Sequence, residues 1–341
     1  MNYLKHHHFG TAATLVATIF SFFILFSFKP SSKVKIFMIG DSTMANKKYQ
    51  STPERGWGMV LACFFDDEVE IDNHAVNGRS SKSFIDEGRW QKVIDNVKPG
   101  DYVFIQFGHN DEKPQPERHT DPGTTFDANL RRFVEETRQR GGIPVLFNAV
   151  VRRNFQIVEE KNDDDEKLRL IDAKTAPLVK EGDTLRDTHG AYLDSPRNVA
   201  HETGCAFVDA NLITHNLEQS LGREESKKLH MWYKPGEHPM LPDGRRDNTH
   251  YNIYGAHRVA ALLAEAVAKE VKPLRRHLVS YDIAVARDGS GDYFTIQEAI
   301  QAAPEGKKVT IQILGGEWEK PKENKVKNIK FYLRKGAKWI N

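Results

Sequence analysis

Short apolar runs that alternate with amphipathic stretches most constrain the fold of this chain. The runs VKIFMIG (34–40), EVEIDNHAV (68–76), DYVFIQFG (101–108), IPVLFNAVV (143–151) and CAFVDAN (205–211) have the length of strands covered on both faces. Helical spacing marks 56–66, 83–96, 124–140 and 190–203 between them. A last helix is expected over about 251–271, where AHRVAALLAEAVAKEV keeps one apolar face. This order predicts an α/β fold: a parallel sheet with helices on both sides, a three-layer αβα sandwich. In such sheets the functional site lies outside the carboxyl ends of the strands.

Two segments interrupt the pattern. Residues 156–186, with EEKNDDDEK, read as a charged excursion into solvent. Residues 222–249 hold KLHMWYKPGEHPMLPDGRRDNTH, rich in Pro, Gly and aromatics, and read as an irregular loop bordering a site.

Charge narrows the partners. Lys and Arg total 49 against 47 acidic residues, so no broadly basic face points to nucleic acid. The N-terminus has a different character. Residues 11–28 (TAATLVATIFSFFILFSF) carry no charge, which fits a signal-peptide core over 1–29 or a marginal, uncleaved membrane anchor. Either way the rest of the chain is expected to be exported. His6, His7 and His8 precede this run and are left out of fold reasoning. Cys63 and Cys205 are the only cysteines; their separation establishes no bridge, and Cys63, within GWGMVLACFF, reads as a small buried hydrophobe.

Four short blocks carry chemistry. Gly40-Asp41-Ser42 ends the first strand, where Ser42 is either a helix cap or an outward-facing nucleophile. NHAVNGRSS (73–81) follows the second strand, and Gly78 lets backbone approach a ligand and offers an N–H. QFGHND (106–111) follows the third strand; Asn110 can aim a side-chain N–H into the same crevice or serve as a turn residue. DNTHYNIYGAHR (247–258) enters the last helix. There Asp247 and His250 are spaced so that a carboxylate can orient an imidazole acting as base and then acid.

In this order the blocks resemble the SGNH (GDSL-type) hydrolase superfamily. The longer strings NHAVNGRSSKSFIDEGRW, FIQFGHNDEKP and LPDGRRDNTHYNIYGAHRVA resemble its rhamnogalacturonan acetylesterase branch, over about residues 33–272. Thr43 stands where the broader motif often has Leu, but GDST also occurs in this branch. The resemblance implies a flavodoxin-like domain over 33–275 and an esterase without metal or cofactor. It casts Ser42 as nucleophile, His250 as general base and acid, and Asp247 as orienting carboxylate. The Ser42 and Gly78 N–H groups with the Asn110 side chain would form an oxyanion hole. The implied substrate is an acetylated pectic polysaccharide. Its carboxylates suit cations near the crevice, with Arg79 and Arg152 as candidates; Trp232 could stack on sugar rings and His109 could touch substrate. Trp57, on an amphipathic stretch, reads as core.

From about residue 280 the character changes. VARDGSGDYFTIQEAIQAAP, KVTIQILGGEWEK and NIKFYLRKGA resemble the opening of a pectin methylesterase, a right-handed parallel β-helix. Residues 280–341 are therefore expected to form an incomplete β-helix start, marginal without further coils and without methylesterase activity. The rivals are a lipase or thioesterase of the same fold, a metal-dependent deacetylase using Asp247, His250 and another histidine, and a non-catalytic polysaccharide-binding protein.

Overall fold

The computed structural model describes residues 33–157, 180–322 and 328–340. The expected export segment (1–29) and residues 158–179 of the charged excursion lie outside the described residues.

Five strands form the central sheet: β1 (Val34–Gly40), β3 (Val69–Asn73), β4 (Tyr102–Gln106), β5 (Ile143–Phe147) and β6 (Ala206–Val208); the two-residue β2 (Glu54–Arg55) lies elsewhere. All neighbouring pairs in this sheet are parallel, in the order β3-β1-β4-β5-β6. The chain reverses its direction of travel across the sheet at β1 and β4, so their carboxyl ends flank the crevice where such folds place their sites. Each expected central strand exists, β1 with the expected bounds.

Alternate side chains of each strand feed two cores. Ile36, Met38, Phe104, Val145 and Phe147 pack under the long helix over 253–270, with Val259, Ala260 and Leu263. Phe37, Ile39, Val103, Ile105 and Leu146 face the other way, onto Phe84, Trp90, Phe126, Phe133 and Val199. Because strand side chains alternate, a continuous apolar run can fill both layers. The helices are α1 (Trp57–Val60), α2 (Ser81–Asp86), α3 (Arg89–Ile94), α4 (Thr125–Gln139), α5 (Asp194–Thr203), α6 (Ala210–Glu225) and α7 (Ile253–Glu270). Trp57 is fully buried in the first core, as expected.

The segment expected to be an irregular loop at 222–249 is instead largely ordered. It contributes β7 (His230–Tyr233) and the start of β8 (Arg245–Asn252), an antiparallel pair that also takes in β2. The Pro- and Gly-rich letters belong to the connection, where Gly236 and Gly244 adopt positive φ. His250 consequently sits on a strand that runs into α7, two residues before the Asn252 cap of that helix.

The tail holds β9 (Ile283–Val285), α8 (Ile296–Ala302), β10 (Val309–Ile313), β11 (Gly316–Glu319), β12 (Ile329–Leu333) and β13 (Ala337–Ile340). These form two small parallel sheets, β12-β10-β9 and β11-β13. Residues from Lys33 onward make one compact unit. The tail docks through Arg334, which donates to Asp67 at 2.9 Å and to the Phe65 carbonyl at 2.5 Å. Gln312 donates to the Cys63 carbonyl at 2.8 Å, and Arg55 to the Gly289 carbonyl at 2.9 Å. Cys63 and Cys205 are both free, and Cys63 is buried, with its thiol pushed up by burial.

Candidate active site

The turn after β1 is held by close backbone contact and a relay of side chains. A Cβ on Gly40 would lie 2.7 Å from the Gln106 carbonyl oxygen of neighbouring β4, so the approach of the two strand ends requires glycine. Asp41 is fully buried, and its Oδ1 accepts from the Thr43 backbone N–H (2.9 Å) and hydroxyl (2.8 Å). Gln106 Nε2 donates to Thr43 Oγ1 at 2.8 Å, and Trp57 Nε1 donates to Gln106 Oε1 at 2.7 Å. The hydroxyl of Thr43 is the middle of this relay, which gives the departure from Leu a structural role. Burial raises the Asp41 carboxyl above the ordinary range, opposed by the Thr43 bonds.

Ser42 projects from this turn, and its Oγ lies 2.8 Å from His250 Nε2. On β8, Asp247 Oδ1 accepts the backbone N–H groups of Thr249 and His250, each at 2.9 Å. Its Oδ2 lies 2.9 Å from His250 Nδ1. A carboxylate only accepts, so Nδ1 carries the proton and Nε2 keeps a lone pair for the Ser42 hydroxyl. All three side chains are nearly buried. The three-residue spacing of Asp247 and His250 works because the aspartate accepts the N–H of that histidine as well as facing its ring.

Gly78, at φ 73°, and Asn110 come together from separate loops. Asn110 Nδ2 donates to the carbonyl of Arg79, next to Gly78, at 3.2 Å. An amide nitrogen has two hydrogens, so the second remains for a ligand. The loop that carries Asn110 is tied down by Asp111, a residue the sequence pattern did not single out. Its carboxyl accepts from Gly108 N–H, the Ser81 N–H and hydroxyl, and the Thr120 hydroxyl. Burial pushes Asp111 up to about 7 against those bonds.

The four residues expected to meet substrate are placed differently from one another. Arg79 is about one-third exposed and pairs with Glu87, Nε to Oε2 at 3.1 Å. Arg152 is buried; its Nη1 lies 2.5 Å from Glu112 Oε1, and its Nη2 donates to the His109 carbonyl. Trp232 is half-buried, donates to Asn248, and has Arg153 and Lys227 over its ring at 5.2 and 4.8 Å. His109 is buried beside Asn110 and meets His189 edge-on at 4.6 Å. Burial, with His189 and Arg152 close by, holds His109 well below the usual imidazole range, so it is neutral near pH 7. Among the described residues no group of three or more His, Cys, Asp or Glu side chains is arranged to hold a metal ion.

Residues 38–258 match the GDSL-like Lipase/Acylhydrolase family, a span that contains Ser42, Gly78, Asn110, Asp247 and His250. The chain belongs to this family. Within it, the chain is 37% identical over 247 residues to the rhamnogalacturonan acetylesterase RhgT of Bacillus subtilis, covering 72% of this chain and 95% of that protein. It is 30% identical to the rhamnogalacturonan acetylesterase of Emericella nidulans, over 68% of this chain and 84% of that one. Among solved structures, the protein YxiM of Bacillus subtilis superposes with a TM-score of 0.53 at 21% identity. That match covers 70% of this chain and 56% of the other, a likeness of fold.

Proposed function

We propose that this family member is a serine carbohydrate esterase that removes O-acetyl groups from a pectic polysaccharide, with acetylated rhamnogalacturonan as substrate. The observation that carries the chemistry is the unbroken Ser42–His250–Asp247 chain, with bonds of 2.8 and 2.9 Å. The rhamnogalacturonan acetylesterases of Bacillus subtilis and Emericella nidulans among its relatives support the substrate.

His250 Nε2 takes the hydroxyl proton as Ser42 Oγ attacks the acetyl carbonyl. The negative charge that forms on the carbonyl oxygen is met by the backbone N–H groups of Ser42 and Gly78 and the free N–H of Asn110. Asp247 stabilises the imidazolium and keeps its tautomer. His250 then returns the proton to the departing sugar oxygen, leaving acetyl on Ser42. Water, deprotonated by the same imidazole, releases acetate in a second half-reaction.

Arg79 is the cation we assign to the substrate carboxylates, because it is partly exposed beside Gly78, whereas Arg152 is buried against Glu112. We further read the tail as the start of a parallel β-helix. Its strands pair in parallel and in register, Val309 with Ile329 and Gly316 with Ala337, as successive coils do. The uncharged run at 11–28 supports an exported enzyme.

Acetate release from acetylated rhamnogalacturonan and acetylated xylan tests the substrate. Preference for the pectic polymer is expected; equal or greater release from xylan would discard the substrate while keeping the mechanism.

A further inference from the structure

Behind the triad lies a row of charges that the acyl-transfer chemistry does not itself use. Arg245 Nη2 donates to Asp247 Oδ2 at 2.8 Å and lies 3.2 Å from Glu54 Oε2. The other oxygen of Glu54 meets Lys47 Nζ at 2.8 Å. Lys47 Nζ in turn donates to Asn77 Oδ1 at 2.5 Å, one residue before Gly78. The Lys47, Glu54, Arg245 and Asp247 side chains are 3, 6, 11 and 3% exposed. Two cations and two carboxylates thus alternate in a row shut away from solvent.

Backbone contacts hold Glu54 and Lys47 within the row. Glu54 belongs to β2, which pairs with β8 at Asn252, and Lys47 donates its backbone N–H to Met59 Sδ. Buried ion pairs gain little net stability over apolar packing of the same volume, because desolvation cancels most of the attraction. What such a row does supply is direction. Each charge has one place where both of its neighbours are satisfied. Its two ends are the acid of the triad and the loop that presents the Gly78 N–H.

We propose that the chain Asp247–Arg245–Glu54–Lys47–Asn77 holds the triad acid and the oxyanion-hole loop in one register, making Arg245, Glu54 and Lys47 positioning residues for acyl transfer. This rests on the esterase function proposed above. Arg245 also sets the charge that His250 feels through Asp247, and Glu54 offsets Arg245. Other groups near His250 include Ser42 and Asp41 from the β1 turn and His109 from the β4 loop. None of these changes in the variants below.

The test is the pH profile of kcat/KM for hydrolysis of p-nitrophenyl acetate by the full chain, with near-ultraviolet circular dichroism to confirm folding. Arg245→Met removes a cation beside Asp247, so the imidazolium persists to higher pH and the acid limb moves up. Glu54→Gln removes one of the two carboxylates that Arg245 meets, so less negative charge offsets it, and the acid limb moves down. Each shift is expected to be on the order of half a pH unit. Lys47→Met should lower kcat about ten- to a hundredfold with little change in KM, as a displaced donor loop does. Lys47→Arg should restore most of that loss.

The double variant Lys47→Met/Arg245→Met should lose less than the product of the two single losses, because both act through Glu54. A merely structural role would lower activity without opposite pH shifts. Coincident acid limbs in an active, folded set with multiplicative losses would overturn the inference and leave the esterase standing. A folded wild-type protein that hydrolyses no ester would overturn both.

Discussion

Asn110 shows how much of this site one side chain carries. One amide hydrogen is committed to the Arg79 carbonyl, and in the proposed oxyanion hole the other would meet charge that appears only in the transition state. Asn110→Ala is expected to lower kcat about 10²–10³-fold, roughly 2.7–4 kcal/mol, with KM little changed, in steady-state assays. Glu112 shows the opposite case, a charge that serves stability. Burial would raise its carboxyl, but Arg152 and His189 pull it down to about 2 from the ordinary 4.5. Its folded value is depressed, so its contribution is full above about pH 4.5 and is lost as pH falls towards 2. Urea unfolding of wild type and Glu112→Gln should therefore differ most near neutrality and converge in acid. At this scale the meeting of Ser42, Asp247 and His250 was legible because Asp247 and His250 are three residues apart and Ser42 follows a strand end. Asp111, Glu54 and Lys47 were not, since each also bonds a residue at least thirty positions away, Ser81, Arg245 and Asn77 respectively, which only the folded chain brings near. Arg245 was the exception that could have been found, two residues from Asp247 on a β-strand and so on the same face.

At the scale of elements, β8 and α7 form a single lever for the imidazole. Asn252 caps α7 by accepting the Gly255 N–H at 2.9 Å, and its amide donates to the carbonyls of Lys228 and His230. Gly255 lets the helix sit on the turn before β7: a Cβ there would fall 1.9 Å from the Leu229 carbonyl oxygen. Gly255→Ala is expected to destabilise the protein by at least about 1–3 kcal/mol. It should cost activity as well, since the displaced helix carries the end of β8 with it; thermal unfolding and kcat measure the two effects. The central strands were readable because strands buried on both faces are continuously apolar. The β7–β8 hairpin was hidden by its connection, whose Pro and Gly dominated the composition around two short strands. The helix Ala210–Glu225 also went unread, its apolar residues being spread thinly over a polar sequence.

For the whole molecule, the tail is part of what the esterase unit rests on. Arg334 is buried and bonded to Asp67, Gln312 and the Phe65 carbonyl, joining both small sheets' edge of the chain to the start of β3. Arg334→Met takes the guanidinium from the Phe65 carbonyl and from Asp67, which keeps the Lys335 backbone N–H. Limited proteolysis is expected to cut the variant within 280–340 faster than the wild type, while acetyl-ester turnover by the remaining unit persists. Equal cleavage rates would mean that apolar packing holds the tail without this ion pair. The sequence showed a change of character near residue 280 but gave no sign of this docking, because the groups it uses, among them the Phe65 and Cys63 carbonyls and Asp67, form no local pattern.

The central claim, that Ser42 is a nucleophile activated by His250, is tested most directly by covalent labelling. The full chain would be treated with an alkyl fluorophosphonate and the modified peptide located by mass spectrometry. One adduct per chain on Ser42, absent in His250→Ala, is the predicted result. An adduct on another residue, or ester hydrolysis that continues with Ser42 unmodified, would contradict it.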